Sequence, residues 1–200
     1  MIWIITSPER LNEEGKILTA LLKAGVSRIL LRKPQWTPEA YHDLIAAIDP
    51  AFYSKIIIHD NFQVCHTYAL GGIHLSGKMR NSITGSEWQL CLRQYPLRST
   101  GIHHPSEIAT MDKQFSALLL SPVFNSISKP GYGGRFAQAL DNKAGHTILA
   151  LGGVDHTNIT HLKQWHFDGA ALLGAIWKQP AKAVDNYYRI QELWNRNDLS

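Results

Sequence analysis

The chain has 200 residues, of which 44% are hydrophobic and 18% charged, with a formal net charge of +4. That length suits one domain with a sizeable core, and the Lys and Arg residues are scattered without a run, which argues against a nucleic-acid footprint and leaves small anionic ligands as natural partners. No apolar run approaches the ~20 residues of a membrane span, and the opening MIWIITSPERLNEEGK lacks the basic region of a signal peptide, so a cytoplasmic chain is expected.

Eight short apolar runs follow one another: IWIIT (2–6), RILLRK (28–33), KIIIHD (55–60), GIHLS (72–76), STGIHH (99–104), ALLLSPV (117–123), TILALGG (147–153) and GAALLGA (169–175). Continuous Ile, Leu and Val runs without alternation predict strands buried on both faces, as in a parallel sheet. Helical patterns separate them. EEGKILTALLKAG places Ile17, Leu18, Leu21 and Leu22 on one face and stops at Gly25. TPEAYHDLIAAID opens with Thr37 as N-cap and Pro38 at the first helical position. TGSEWQLCLRQY, PSEIATMD, TNITHLKQW and PAKAVDNYYRIQELWNR are further helices, and GRFAQALD after the sixth strand is a short one. The fold class is therefore α/β, a compact single-domain (β/α)8 TIM barrel over residues 1–200 with short helices; an open doubly wound sheet is the alternative.

Cys65 and Cys91 sit in amphipathic segments without a CxxC pair and read as buried reduced thiols. A homodimer stays open, since Trp3, Trp36, Trp165, Trp177 and Trp194 suit a core or an interface equally.

In a barrel the chemistry sits at the C-terminal strand ends. Arg32 ends the second run, His59 and Asp60 the third, His74 lies in the fourth, and His103 and His104 end the fifth. After the sixth come Ser126, Ser128 and Lys129 among glycines, a composition suited to a phosphoryl group and to a bending cover over it. Gly152 and Gly153 after the seventh run and Gly174 in the eighth lie where bare backbone N–H groups can approach phosphate oxygens. A histidine at the end of the fifth run suits proton transfer near neutral pH. His42, His66, His161 and His166 fall on helices as surface or packing residues.

These residues, in this order, resemble the thiamine phosphate synthase and TenI superfamily, with LLSPVFNSISKPGYGG followed by ILALGGV as the most specific part. The resemblance implies a small phosphorylated substrate, a thiazole phosphate held near Gly152, Gly153 and Gly174, and one of two chemistries. A synthase joins hydroxymethylpyrimidine diphosphate to thiazole phosphate with magnesium; a tautomerase isomerises a thiazole carboxylate phosphate through a histidine and no cofactor. The synthase pattern Gln-x-Arg-Glu-Lys keeps only Arg32 here, with Leu30, Lys33 and Pro34 at the other positions. Of its two metal-binding aspartates Asp60 is kept, while Met79 stands where the second is expected. The tautomerase histidine aligns with His104, or with His103 one residue away. The resemblance therefore favours the tautomerase, with His104 and Lys129 as catalytic residues and Arg32, His59, Asp60, His74, Ser126 and Ser128 around the substrate. The alternatives are the synthase, with magnesium on Asp60, and a non-catalytic phosphate-binding regulator.

Overall fold

A computed structural model describes residues 1–125 and 133–196. Eight parallel strands close into a barrel in sequence order: β1 (Ile2–Ile5), β2 (Arg28–Leu31), β3 (Ile56–His59), β4 (Gly72–Leu75), β5 (Leu97–Ile102), β6 (Ala117–Leu120), β7 (Ile148–Leu151) and β8 (Gly169–Leu172). The pairing of β1 with β8, Ile2 opposite Ala170, closes the ring and excludes the open sheet.

The uninterrupted apolar runs have a direct cause. Trp3, Ile5, Leu30, Ile57, Leu119 and Leu149 face inward and fill the lumen. Their neighbours Ile4, Ile29, Ile58, Leu118 and Ile148 face outward into the second core beneath the helices. With both faces buried, polar residues are few in these strands; the buried exceptions are His74 of β4 and Ser99 and Thr100 of β5.

Eight helices are described: α1 (Glu14–Lys23), α2 (Pro38–Ala46), α3 (Phe62–Thr67), α4 (Gly77–Ser82), α5 (Gly85–Gln94), α6 (His161–Gln164), α7 (Gly174–Trp177) and α8 (Ala183–Asn195). α1 buries Leu18, Leu21 and Leu22, each worth roughly 2 kcal/mol of removed apolar surface. Thr37 caps α2 by accepting from Ala40 N, and Thr84 and Glu87 form a reciprocal capping box on α5.

The expected helices are shorter in places. PSEIATMD forms a 3₁₀ turn over Pro105–Thr110, and only His161–Gln164 of TNITHLKQW is helical. No helix occurs in the GRFAQALD segment, where Phe136 and Leu140 pack into the outer core from irregular backbone. α3, α4 and α7 are too short for any periodicity to announce them. Trp3 and Trp177 are core residues, and Trp177 Nε1 donates to Ile5 O at 2.6 Å, tying α7 to β1. Both cysteines are buried free thiols. Among the described residues no helix is long and apolar enough to cross a membrane.

Candidate functional site

Strand register assembles one half of the barrel mouth. His59 lies opposite His74, and His74 opposite Ser99, so β3, β4 and β5 contribute adjacent side chains to one layer. His74 is buried, and its Nδ1 lies 2.9 Å from Ser99 Oγ. Burial, reinforced by the positive charge of His59, Arg32 and Arg80, pushes its pKa down to about 3, so its imidazole stays neutral. The His59 ring stacks on it with centroids 5.5 Å apart. Burial lowers the His59 pKa too, against the pull of Asp60 in the other direction.

Asp60 holds a left-handed backbone, φ 51°, a region that Asp tolerates better than most residues. Its N–H donates to His74 O at 3.0 Å, and its Oδ1 accepts from Ser76 N at 2.8 Å, so the carboxylate bridges β3 to the end of β4. Its Oδ2 lies 3.5 Å from His59 Nδ1. Arg32 is exposed, its backbone N–H donates to Thr6 Oγ1 at 2.9 Å, and its guanidinium makes no hydrogen bond among the described residues. Arg32, His59 and Asp60 line a cavity of about 330 Å³ together with Gln35, Trp36 and Asn61.

Lys33 turns the other way. Its ammonium is buried between both oxygens of Glu14, at 2.7 and 2.6 Å, the carbonyl of Glu9 at 2.7 Å, and the face of Trp36. Burial raises the Glu14 pKa and lowers that of Lys33, each against the attraction of its partner. Both directions say that desolvation outweighs the mutual attraction, the usual balance for a buried pair.

The fifth strand carries the two histidines. Leu97 packs on the lumen cluster and Ser99 meets His74, so alternation along β5 gives the inward side to Gly101; His103 and His104 follow the strand and are both exposed. His103 Nδ1 lies 3.2 Å from Ser121 O at the end of β6. His104 instead caps the following 3₁₀ turn: its Nδ1 accepts from Ser106 N at 3.2 Å, lies 2.7 Å from Ser106 Oγ, and its ring meets Phe136 edge-on. Glu107 Oε1 accepts from both His103 N and His104 N at 2.8 Å.

The opposite half of the mouth is built from backbone. Gly152 and Gly153 have φ of +95° and +68°. A Cβ on Gly153 would stand 2.1 Å from Asn125 O, so the β6 and β7 loops cross there at backbone distance. Gly174 begins α7. The N–H groups of Gly153, Gly174 and Ala175 make no hydrogen bond among the described residues. Ser126, Ser128 and Lys129 lie outside the described residues; before and after them, Asn125 Oδ1 accepts from Gly134 N at 2.8 Å.

Reasoning from sequence did not single out Arg80 or Ser99, and used Glu107 only to align His104. Arg80 reaches from α4 to β5, where its Nη1 donates to Thr100 Oγ1 and Gly101 O, both at 2.9 Å. The only available signal was a basic pair, Lys78 and Arg80, where a carboxylate was expected. Met79 lines a separate cavity among α3, α4 and α5 with Phe62, Ile83, Leu90 and Tyr95. For magnesium, the described residues offer Asp60 alone, with Oδ1 already engaged by Ser76, and no cluster of three candidate ligands occurs among them. One carboxylate oxygen suits an ion that arrives on a substrate diphosphate, not one held by protein ligands alone.

Residues 2–176 match the family model described as thiamine monophosphate synthase. Two curated relatives align over 88% of this chain and 86% of their own length: the thiamine-phosphate synthase of Syntrophomonas wolfei at 23% identity and that of a Psychrobacter species at 24%. Among solved structures, thiamine phosphate pyrophosphorylases from Pyrococcus furiosus (14% identity, TM-score 0.78, covering 96% of this chain and 94% of that one) and Bacteroides thetaiotaomicron (20%, 0.73, 96% of each) share the fold. The chain belongs to the thiamine monophosphate synthase family.

Proposed function

We propose that this family member is a thiamine-phosphate synthase, joining hydroxymethylpyrimidine diphosphate to thiazole phosphate at the mouth of its barrel. The observation that carries this reading is the division of the mouth: among the described residues, backbone N–H groups at β7 and β8 make no hydrogen bond, and at β2 and β3 a guanidinium that makes none lines a cavity with a carboxylate. Two anionic groups of different charge can then be held on opposite sides. The names of the two curated relatives support the synthase over the tautomerase that the sequence alone favoured.

In this scheme the thiazole phosphate rests on the N–H groups of Gly153, Gly174 and Ala175. Arg32 donates to the diphosphate of the pyrimidine. The thiazole nitrogen attacks the exocyclic methylene carbon of the pyrimidine; the new C–N bond forms as the C–O bond breaks, and the diphosphate leaves with the electron pair. Asp60 Oδ2 would hold a magnesium ion carried on the diphosphate, which supplies charge neutralisation to the leaving group. Neutral His74 supports the His59 ring from below, so the floor of the site adds no charge of its own. Lys129, Ser126 and Ser128 join the proposal from sequence alone, as further partners of the anionic oxygens.

A second reading, the tautomerase, is supported by one specific observation: His103 Nδ1 lies 3.2 Å from Ser121 O at the end of β6, while His104 caps a turn. On that reading His103 moves the proton. One assay separates the two. Purified chain is mixed with hydroxymethylpyrimidine diphosphate, thiazole phosphate and magnesium. Repeated turnover to thiamine phosphate, stopped by a chelator, is expected; a chain that makes none while isomerising the thiazole carboxylate phosphate is a tautomerase.

A further inference from the structure

Several cations of the chain are committed to partners. Lys33 is buried against Glu14, Lys143 pairs with Asp168, Arg196 pairs with Glu192, and Lys163 donates to Arg196 O. Lys178 and Arg189 are exposed, and among the described residues their charged groups make no hydrogen bond and no ion pair. Both line one cavity of about 230 Å³, which shares no residue with the cavity that holds Arg32 and Asp60.

Three elements converge on this cavity. Lys178 follows α7, Asn186 and Arg189 stand three residues apart on one face of α8, and His156 comes from the loop after β7. The frame around them is fixed. α8 is anchored by the burial of Ala183, Tyr187 and Ile190. In the β7 loop, Asn158 Nδ2 donates to Gly153 O at 2.9 Å, and Asn158 Oδ1 accepts from Asp155 N at 3.0 Å. Gly174 and Ala175 complete the wall with no long side chain to fill the space. The one carboxylate of the lining, Asp155, is turned into its own loop: its Oδ1 accepts from Thr157 N at 2.8 Å and from Thr157 Oγ1 at 2.6 Å. Asp185, one turn before Arg189, forms no ion pair with it. Two permanent positive charges therefore stand against one carboxylate, and His156 and Asn186 add further N–H donors.

We propose that this cavity is a binding site for a phosphate dianion, free or at the end of a small monoester, distinct from the cavity at Arg32. Its volume sets the size of the ligand. Pockets for drug-sized ligands run to roughly 300–1,000 Å³, so this one suits a single phosphate group with little attached. Arg189 offers a planar fork and Lys178 a point charge, the two modes by which side chains grip phosphate oxygens. The inference does not depend on the synthase reading.

The test is calorimetric titration of the full chain with inorganic phosphate at constant ionic strength, with thiazole phosphate at saturation to occupy the proposed grip at the mouth. Wild type, Arg189→Gln, Lys178→Gln and Lys182→Gln are compared; Lys182 is exposed nearby and does not line the cavity, so its variant removes the same charge from outside the site. Wild type is expected to bind one phosphate. Arg189→Gln and Lys178→Gln should each weaken it about fivefold or more, and Lys182→Gln should stay within about twofold. A parallel titration with methyl phosphate separates the sources: binding as tight as that of phosphate supports a monoester end, and exclusion supports the free ion. No phosphate binding by wild type, equal loss in Lys182→Gln, or full displacement of phosphate by thiazole phosphate overturns the inference. Should thiazole phosphate itself not bind, titration with inorganic phosphate alone reads the cavity and the same variants decide. Wild-type turnover is measured separately: no thiamine phosphate, with phosphate affinity still lost in Arg189→Gln, defeats the synthase reading and leaves this site standing.

Discussion

On the proposed reading, the β7–β8 half of the mouth and the β2–β5 half bind anions by different means. At β7 and β8 the donors are backbone N–H groups of glycines and their neighbours, on loops packed so closely that a side chain would collide with Asn125 O. At β2 to β4 the groups are side chains: an arginine, a carboxylate and two stacked imidazoles. Backbone can hold a phosphate but cannot change its charge by substitution. Side chains can, and this is the half in which the chain departs from the synthase pattern, at Leu30, Lys33, Pro34 and Met79. The same reading puts the common grip in the first half and the choice of chemistry in the second.

The largest blow to the charged half comes from behind it. Glu14→Ala leaves the Lys33 ammonium buried without a counter-charge, and a loss of about 3–5 kcal/mol in unfolding free energy is expected by denaturant titration. Replacing both members with Leu and Met should restore most of it, because the pair gains little over its own desolvation. Arg32→Ala should lower kcat/KM for the diphosphate substrate by about a hundredfold, roughly 2.7 kcal/mol, while thiazole phosphate binding, read by calorimetry, stays within twofold.

On the glycine side, Gly153→Ala combines a left-handed φ with a clash against backbone. It should cost about 2–3 kcal/mol of stability in a thermal melt and weaken thiazole phosphate, leaving pyrophosphate affinity unchanged. The smallest effect is a pH slope. His74 has a folded pKa of about 3 against 6.5 for a free imidazole, so the unfolded chain takes up the proton first as pH falls. Stability should be full above pH 6.5 and fall progressively from there to pH 3. His74→Gln should flatten that part of the profile.

Much of this was readable from sequence because apolar runs are long-range statements. Eight of them, buried on both faces, leave few foldings besides a closed barrel. The placement of Arg32, Asp60 and the glycine pair at strand ends was legible because polar residues and Gly-Gly there are unusual against such runs. The contact of Arg80 with β5 was not, since it depends on a six-residue helix, too short to show a period, that turns the side chain back over the strand. The difference between His103, beside Ser121 O, and His104, capping a turn, lies beyond the end of β5, and nothing local in the sequence reveals it.

The division of the mouth is tested most directly by titrating one chain with both ligands. Thiazole phosphate and inorganic pyrophosphate are added separately and together to wild type, Arg32→Ala and Gly153→Ala, with heats recorded by calorimetry. The account predicts two sites occupied at once, with pyrophosphate lost selectively in Arg32→Ala and thiazole phosphate selectively in Gly153→Ala. Mutual displacement in wild type, or equal loss of both ligands in either variant, would mean a single anion site and would contradict it.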